Sequence, residues 1–82
     1  MMPKIKTASL KTKSLRVRVA HNLRSAREAQ NLSQENLAEL AELHRTYISS
    51  VERCERNVTL ETVERLALAL KLDPLELLRE GK

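Results

Sequence analysis

Apolar residues recur along most of this chain at intervals of three and four positions, which is the period of amphipathic α-helices rather than the alternation of strands. The first such run comprises Leu15, Val19, Leu23 and Ala26. Ser14 stands where a hydroxyl can cap this helix, and Asn31 stands where a left-handed residue can end it. The pattern predicts a first helix that begins at Leu15.

Two short helices are predicted on either side of a turn near Glu42 and Leu43. Ser33 is the expected N-cap of the second helix, and the third runs from about Arg45 to Arg53. The apolar positions of these two helices are Leu37, Leu40, Ala41, Ile48 and Val51. Two short amphipathic helices joined by a tight turn are typical of an αα-hairpin.

A fourth helix is predicted after Thr59, its expected N-cap. Its apolar positions are Leu60, Val63, Leu66, Ala67 and Leu70. Asp73 and Pro74 form an N-cap and first-turn pair for a fifth helix, which we expect Gly81 to end. The positions of this helix expected to point to the core are Leu75 and Leu78.

The pattern as a whole predicts an all-α fold, a compact domain of five helices over residues 14–82. It contains no strand signal, and the chain's one Gly and two Pro leave little scope for tight hairpins. Residues 1–13 are basic and have no apolar period, so we expect a flexible arm ahead of the domain.

Charge is distributed unevenly along the chain and points to an anionic partner. The first 27 residues hold eight Lys or Arg and no acid, whereas all 11 acids lie in the rest of the chain. Nucleic acid is the first candidate for this partner and an acidic membrane surface is the second. No apolar run approaches the length of a membrane span, so we expect no membrane-embedded segment.

Catalytic and metal chemistry find no support in the residues. His21, His44 and Cys54 lack metal-ligand spacing, and no nucleophile has an evident partner base, so we expect no enzyme, metal or cofactor. Cys54 is the sole cysteine and cannot form an intramolecular disulfide, and the N-terminus lacks a secretory signal; both favour the cytoplasm. His44 is compatible with a phosphate contact or with the start of the third helix.

The segment from Gln34 to Arg53 meets the requirements of a helix-turn-helix. A small residue, Ala38, lies where the two helices would cross. Apolar residues that would hold the interhelical angle are Leu37, Leu43, Ile48 and Val51. Polar residues on the outer face of the second helix of this pair are Arg45, Thr46, Ser49, Ser50 and Arg53. Such residues can reach bases and phosphates in the major groove, so the motif predicts DNA binding.

The runs LSQENLAE over Leu32–Glu39 and HRTYISSVER over His44–Arg53 resemble the Xre family, relatives of the lambdoid phage repressors and Cro proteins. The resemblance covers about Leu15 to Leu78. With Arg56 and Asn57 it is similar to the controller proteins of restriction–modification systems, small dimeric transcription regulators. It implies a lambda-repressor-like DNA-binding domain that regulates transcription in a bacterium or phage, with a restriction–modification operon as one target.

The resemblance also implies roles for individual residues. Those matching positions that contact bases are Arg45, Thr46, Tyr47 and Ser49. Those matching positions that contact phosphates are Gln34, Ser50, Arg53, Arg56 and Asn57. Arg45 has the geometry to bond guanine O6 and N7 as a fork. Tyr47 has a second interpretation, as a partly buried core aromatic. Arg27 and Glu52 match an ion pair that ties the first helix to the recognition helix.

Specific recognition requires a second copy of the chain, because one recognition helix contacts too few bases. A homodimer would read a near-palindrome with half-sites about 34 Å apart or a multiple of it. The predicted dimer interface comprises Leu68, Leu72, Leu75 and Leu77. Bound near a promoter, the dimer would exclude or recruit RNA polymerase.

The chain departs from the family pattern at two positions. Glu42 and Cys54 stand where relatives often have Gly, and left-handed geometry costs a non-Gly residue ~1–2 kcal/mol.

An antitoxin of a toxin–antitoxin pair and a protein-interaction adaptor would share the same fold. Acidic residues on the outer face of the third helix would favour the adaptor, and the sequence has Arg, Thr and Ser there.

Overall fold

The computed structural model describes residues 14–80 and confirms the all-helical prediction over that range. The helices are α1 Leu15–Ala29, α2 Gln34–Ala41, α3 Arg45–Glu52, α4 Leu60–Leu70 and α5 Pro74–Leu78. α1 packs against α3, α4 and α5, while α2 packs against α3 and α4. The predicted basic arm, residues 1–13, and the predicted helix end at Gly81 lie outside the described residues.

Four of the helices begin at the residues that the sequence predicts as N-caps. The side chains of Ser14, Ser33 and Thr59 each accept a hydrogen bond from the backbone N–H three residues on, and Asp73 accepts one from two residues on. α3 instead begins at His44, whose ring nitrogen Nδ1 accepts from the N–H of Thr46 at 3.1 Å. Of the two interpretations of His44, the structure supports the start of the third helix.

The first four helices are each followed by a non-glycine residue in the left-handed conformation. These residues are Asn31, Glu42, Cys54 and Lys71, with φ between 57° and 61°. The first three were expected from the sequence and Lys71 was not. In every case the next N–H returns to a carbonyl five residues earlier, as from Leu43 to Ala38 at 2.8 Å. These hydrogen bonds satisfy helix-end carbonyls that would otherwise lack partners.

The core is aliphatic and receives side chains from all five helices. Its fully buried large residues are Val19, Leu23, Leu37, Ile48, Leu66, Leu70 and Leu77. Four leucines predicted on apolar stripes, Leu15, Leu40, Leu60 and Leu75, are more than half exposed instead. In α5 the core residue is Leu77, with Leu78 packed partly against the core, so the inward orientation predicted for Leu75 is wrong. Residues two apart on a helix face nearly opposite directions, which places Leu75 outside when Leu77 is inside.

α5 ends at Leu78. Asn22 of α1 donates through Nδ2 to the carbonyls of Leu77 at 3.0 Å and Arg79 at 2.6 Å. The amide therefore satisfies backbone acceptors where the chain leaves the helix. Gln30 does the same for α4 by donating to the carbonyl of Leu70 at 2.7 Å. Sequence analysis missed both residues, because their partners lie 40 or more positions away.

Candidate nucleic-acid interface

α2, the turn at Glu42 and α3 form the predicted helix-turn-helix. Ala38 and Ala41 are buried on the inner side of α2, and Ile48 and Val51 are buried on the inner side of α3. The left-handed Glu42, at φ 58°, redirects the chain between the helices. Because the inner face of α3 is held by the core, its opposite face is presented to solvent.

A half-buried polar network fixes α3 relative to α1 and α2. Arg27 of α1 donates from Nε and Nη2 to the two carboxylate oxygens of Glu52, at 2.7 and 3.1 Å. Its Nη1 donates to the carbonyl of Leu32 at 2.7 Å. Gln34, the first residue of α2, adds a third donor to Glu52 at 3.0 Å. The pairing of Arg27 with Glu52 expected from the resemblance is thus present.

The Arg27 guanidinium is held in its charged form by this network. The hydrogen bonds to Glu52 raise the pKa of Arg27 above its ordinary value, and burial opposes them more weakly. The side chains of Arg27 and Glu52 are only 11% and 4% exposed, so the carboxylate is nearly shielded from water. A paired and desolvated charge of this kind is a structural element, and it leaves Glu52 unavailable for a ligand.

Arg45 and Thr46 are the predicted base-contact residues at the start of α3. Both are exposed, and within residues 14–80 no side-chain hydrogen bond or ion pair engages Arg45. Thr46 differs, since its hydroxyl lies 2.7 Å from Nδ1 of His44. Arg45 also lines a shallow polar notch with Arg27, Ser33, Gln34 and Glu35. Because Arg27 is paired with Glu52 and Glu35 adds a negative charge, the attraction for an anion at this notch comes from Arg45 and the N-terminal amides of α2.

Arg53 follows α3 and is engaged by its neighbours. It donates from Nε and Nη2 to the two carboxylate oxygens of Glu55, at 3.1 and 3.0 Å, and from Nη1 to the hydroxyl of Ser49. The Arg53 guanidinium lowers the pKa of the Glu55 carboxyl, and Glu55 raises the pKa of Arg53. Both side chains are more than half exposed. Glu55 was not predicted as a site residue, and its carboxylate takes up two of the three Arg53 donor nitrogens.

Ser50, predicted as a phosphate contact, is not available for that role. It is only 7% exposed, and its hydroxyl donates to the carbonyl of Tyr47 at 2.8 Å while accepting from Nε of Arg56 at 3.2 Å. The Arg56 guanidinium lies over the Tyr47 ring, 5.5 Å from its centroid. Tyr47 is also packed partly against the core. The Tyr47 ring therefore makes a structural contact on the face that Arg56 covers.

Asn57 is exposed, and its side-chain oxygen accepts from Nη1 of Arg16 at 3.3 Å. This bond links the loop after α3 to the first turn of α1. The amide nitrogen of Asn57 makes no hydrogen bond with another residue of the described range. It remains able to donate to an external acceptor.

The predicted dimer leucines divide into three environments. Leu68 and Leu75 are 79% and 67% exposed, and Leu72 is partly buried against the core. Leu77 is completely buried within a single chain. Its assignment to the dimer interface is therefore wrong, since it has no surface left to bury against a second copy.

Residues 14–80 offer neither a metal site nor a helix that could cross a membrane. No group of three or more His, Cys, Asp or Glu side chains there is arranged to hold a metal ion. No helix in that range has the length and apolar character needed to cross a membrane.

Comparison with known proteins places this geometry in a family. Residues 23–77 match the HTH_3 helix-turn-helix family. The control protein C.SmaI of Serratia marcescens is 59% identical over 64 residues, covering 77% of this chain and 76% of its own. The restriction–modification controller protein C.AhdI of Aeromonas hydrophila superposes with a TM-score of 0.73 at 47% identity, covering 76% of this chain and 94% of its own.

A third relative was solved on DNA. The controller protein C.Esp1396I, as a tetramer in complex with its natural 35 base-pair operator, superposes with a TM-score of 0.72 at 29% identity. The match covers 82% of this chain and 99% of that one. The chain belongs to the HTH_3 helix-turn-helix family and, within it, to the controller proteins of restriction–modification systems.

Proposed function

We infer that this chain is a sequence-specific DNA-binding transcription regulator, with α3 as the helix that enters the major groove. The observation that carries the proposal is the state of Arg45. Its guanidinium is exposed at the first residue of α3 and unengaged by residues 14–80, while the opposite face of that helix is locked to the core. The presence of C.Esp1396I on its operator supports the same function.

Base recognition is assigned to Arg45, Thr46, Tyr47 and Ser49, which share the N-terminal part and outer side of α3. A bidentate contact from Arg45 to guanine is worth ~1–3 kcal/mol of discrimination against other bases. The Thr46 hydroxyl can replace its hydrogen bond to His44 by one to a base with little loss of free energy, because both groups are exposed. Ser49 must first part from Arg53.

Phosphate contacts position the protein on the duplex without reading sequence. We assign them to Gln34 with the first amides of α2, and to Arg56 and Asn57 after α3. Arg53 can join this set only when a phosphate displaces Glu55 from it. The notch that Gln34 shares with Arg27 and Arg45 favours an anion at the α2 terminus. Ser50 is removed from this set because its hydroxyl is buried and satisfied.

A homodimer is the proposed binding form, with Leu68 and Leu75 as the apolar centre of its interface. Both leucines are exposed, and they lie on α4 and α5, which pack against each other, so a second copy that covered this side of the domain would bury apolar surface. Leu68→Glu should then lower the dimer fraction measured by sedimentation equilibrium. Leu60→Glu is the matched control, since Leu60 is equally exposed at the other end of α4. Equal effects of the two substitutions would refute this interface.

The DNA-reading proposal is tested by affinity for two DNAs. A site is first selected from a random duplex pool, and binding of the wild type to that site and to a scrambled duplex is measured. Arg45→Ala should weaken binding to the selected site by about 10-fold or more, while its affinity for the scrambled duplex should change much less. Equal losses on both DNAs would rule out base reading by Arg45.

Arg79→Ala provides the charge-matched control. Arg79 is exposed and follows α5, which packs on α1 and α4 rather than on the helix-turn-helix. Its loss should leave both affinities nearly unchanged. If no selected sequence is preferred over scrambled DNA by the wild type, the function itself is refuted.

Control of a restriction–modification operon is the proposed physiological setting, supported by the similarity to C.SmaI and C.AhdI. In that setting the protein acts in the cytoplasm and excludes or recruits RNA polymerase at a promoter. Footprinting on the DNA upstream of its own gene and of an adjacent endonuclease gene tests the target. Transcription of the same DNA in vitro, with and without the protein, gives the sign of regulation.

A further inference from the structure

The loop after the recognition helix holds its two arginines in different ways. Arg53 has all three guanidinium nitrogens engaged, two of them by the carboxylate of Glu55. Arg56 has only Nε engaged, by a neutral hydroxyl. Its Nη1 and Nη2 make no hydrogen bond with any residue from 14 to 80. Arg56 therefore keeps its Nη1 and Nη2 donors available, and its interaction with the Glu55 carboxylate is electrostatic only, without a hydrogen bond.

The hydroxyl that engages Arg56 is itself fixed in direction. Ser50 lies on the inner side of α3 and is the one buried polar residue of the described range. Its proton is committed to the Tyr47 carbonyl at 2.8 Å, so the oxygen lone pairs face the Arg56 Nε at 3.2 Å. Because the Tyr47 carbonyl holds the Ser50 proton and the hydroxyl is buried, the hydroxyl does not rotate freely and its oxygen is a directed acceptor.

The Tyr47 ring supplies a second contact to the same guanidinium. Stacking at 5.5 Å from the ring centroid places Arg56 over an aromatic face, the geometry of a cation–π interaction. Arg56 lies in the loop after α3, and two contacts of different kinds hold it against that helix: the hydrogen bond to Ser50 and the Tyr47 ring, one turn apart. Arg56 nevertheless remains an exposed residue, and neither contact uses a hydrogen bond from Nη1 or Nη2.

We propose that Ser50 is a positioning residue which, with one face of the Tyr47 ring beside it, presets Arg56 for a DNA phosphate beside the C-terminal end of the recognition helix. The proposal rests on the DNA-binding function proposed above. An arginine that is ordered before binding gives up less side-chain freedom on contact, so the same phosphate contact yields more affinity. Ser50 acts through Arg56 and does not itself touch DNA.

The test is a double-mutant cycle on DNA affinity with Ser50→Ala, Arg56→Ala and the pair. Ser50→Ala should weaken binding about fivefold, which matches the net contribution of a typical intramolecular hydrogen bond. In the Arg56→Ala background the same change should have little further effect. A fivefold loss in both backgrounds would overturn the proposal, because Ser50 would then act by another route.

Two additional measurements separate positioning from a general effect on folding. Ser50→Thr keeps the hydroxyl and should lose less affinity than Ser50→Ala. In the free protein, the ¹⁵N relaxation of Arg56 Nε should report an ordered side chain that loosens in Ser50→Ala. An Arg56 Nε that is equally mobile in both proteins would also overturn the proposal. Failure of the wild type to bind any selected site would refute the DNA-binding function itself, whereas an uncoupled cycle with normal wild-type binding refutes only the positioning role.

Discussion

Arg27→Ala should be among the most destabilising single substitutions in this domain, because it leaves a buried carboxylate without its partner. The Glu52 side chain is 4% exposed and takes two of its three hydrogen bonds from Arg27. The Leu32 carbonyl also loses its donor. Removing one member of a buried ion pair costs roughly 3–5 kcal/mol, a large part of the roughly 5–15 kcal/mol that stabilises a small domain.

The same helix provides a matched control. Arg24 pairs with Glu28 one turn away, but these side chains are 64% and 56% exposed. Arg24→Ala should therefore cost less than about 0.5 kcal/mol, the usual value of an exposed pair at this spacing. Urea unfolding followed by circular dichroism at 222 nm, at one fixed protein concentration, gives both values. Similar costs for Arg27→Ala and Arg24→Ala would refute the argument from burial.

Removal of both charges distinguishes the burial of Glu52 from the loss of contacts alone. Arg27→Met combined with Glu52→Leu eliminates the uncompensated carboxylate, although Gln34 and the Leu32 carbonyl still lose partners. The double variant should therefore be more stable than Arg27→Ala. A double variant that is less stable than Arg27→Ala would show that most of the energy lies in the hydrogen bonds and not in desolvation.

Three further predictions concern the helix-turn-helix and its ends. Glu42→Gly should raise the free energy of unfolding by up to about 1 kcal/mol, since Gly relieves the left-handed strain in the folded state but adds entropy to the unfolded chain. Glu39→Gly, inside α2, is the control and should lower the free energy of unfolding by about 1 kcal/mol. A Glu42→Gly variant that is less stable than the wild type would contradict this reasoning. His44→Ala should cost roughly 0.5–2 kcal/mol in the same unfolding assay and His44→Asn clearly less, because only Asn can replace the cap; equal costs would exclude capping by Nδ1. Glu55→Gln should strengthen binding to any duplex at low salt by freeing Arg53, and an unchanged affinity would mean that Glu55 does not compete with DNA. The pKa of Glu55 is lowered, so the pair is intact above the ordinary range of a glutamate and is lost only as the pH falls through the lowered value; wild-type binding should therefore show no step from this pair near neutral pH.

The parts of the fold that depend on neighbouring residues could be predicted from the sequence. Ser14, Ser33, Thr59 and Asp73 cap helices through hydrogen bonds to amides two or three positions away, so the relevant chemistry lies within a few letters. The helix-turn-helix was predicted for the same reason. Asn22 could not be assigned a role, because its value as a cap for α5 depends on packing across 55 positions.

The predicted orientation of α5 was wrong for a different physical reason. A helix of five residues is shorter than two turns, so apolar periodicity cannot define which face is buried. With Leu at three of the five positions, the sequence permits either Leu75 or Leu77 to face the core. Packing against α1 and α4 selects Leu77, and this choice places Leu75 on the surface proposed for the second copy.

The candidate site could be predicted in its residue types but not in its electrostatics. Arg45, Arg53 and Arg56 are equivalent in the sequence, and each would count as one cation toward DNA. The left-handed residue Cys54 turns the chain so that the Glu55 N–H returns to the Ser50 carbonyl at 2.9 Å, and the Glu55 carboxylate then neutralises Arg53.

The formal charge of these four side chains, Arg45, Arg53, Glu55 and Arg56, is therefore +2 rather than the +3 of the arginines alone. Each phosphate neutralised contributes about 0.9 to the log–log salt slope, so α3 and its loop should give a slope about one unit shallower per chain than the arginine count implies. In Glu55→Gln the salt slope should become steeper by about this one unit. If the slope is the same in both proteins, DNA displaces Glu55 in the complex, and the pair then limits the rate of binding rather than the number of contacts.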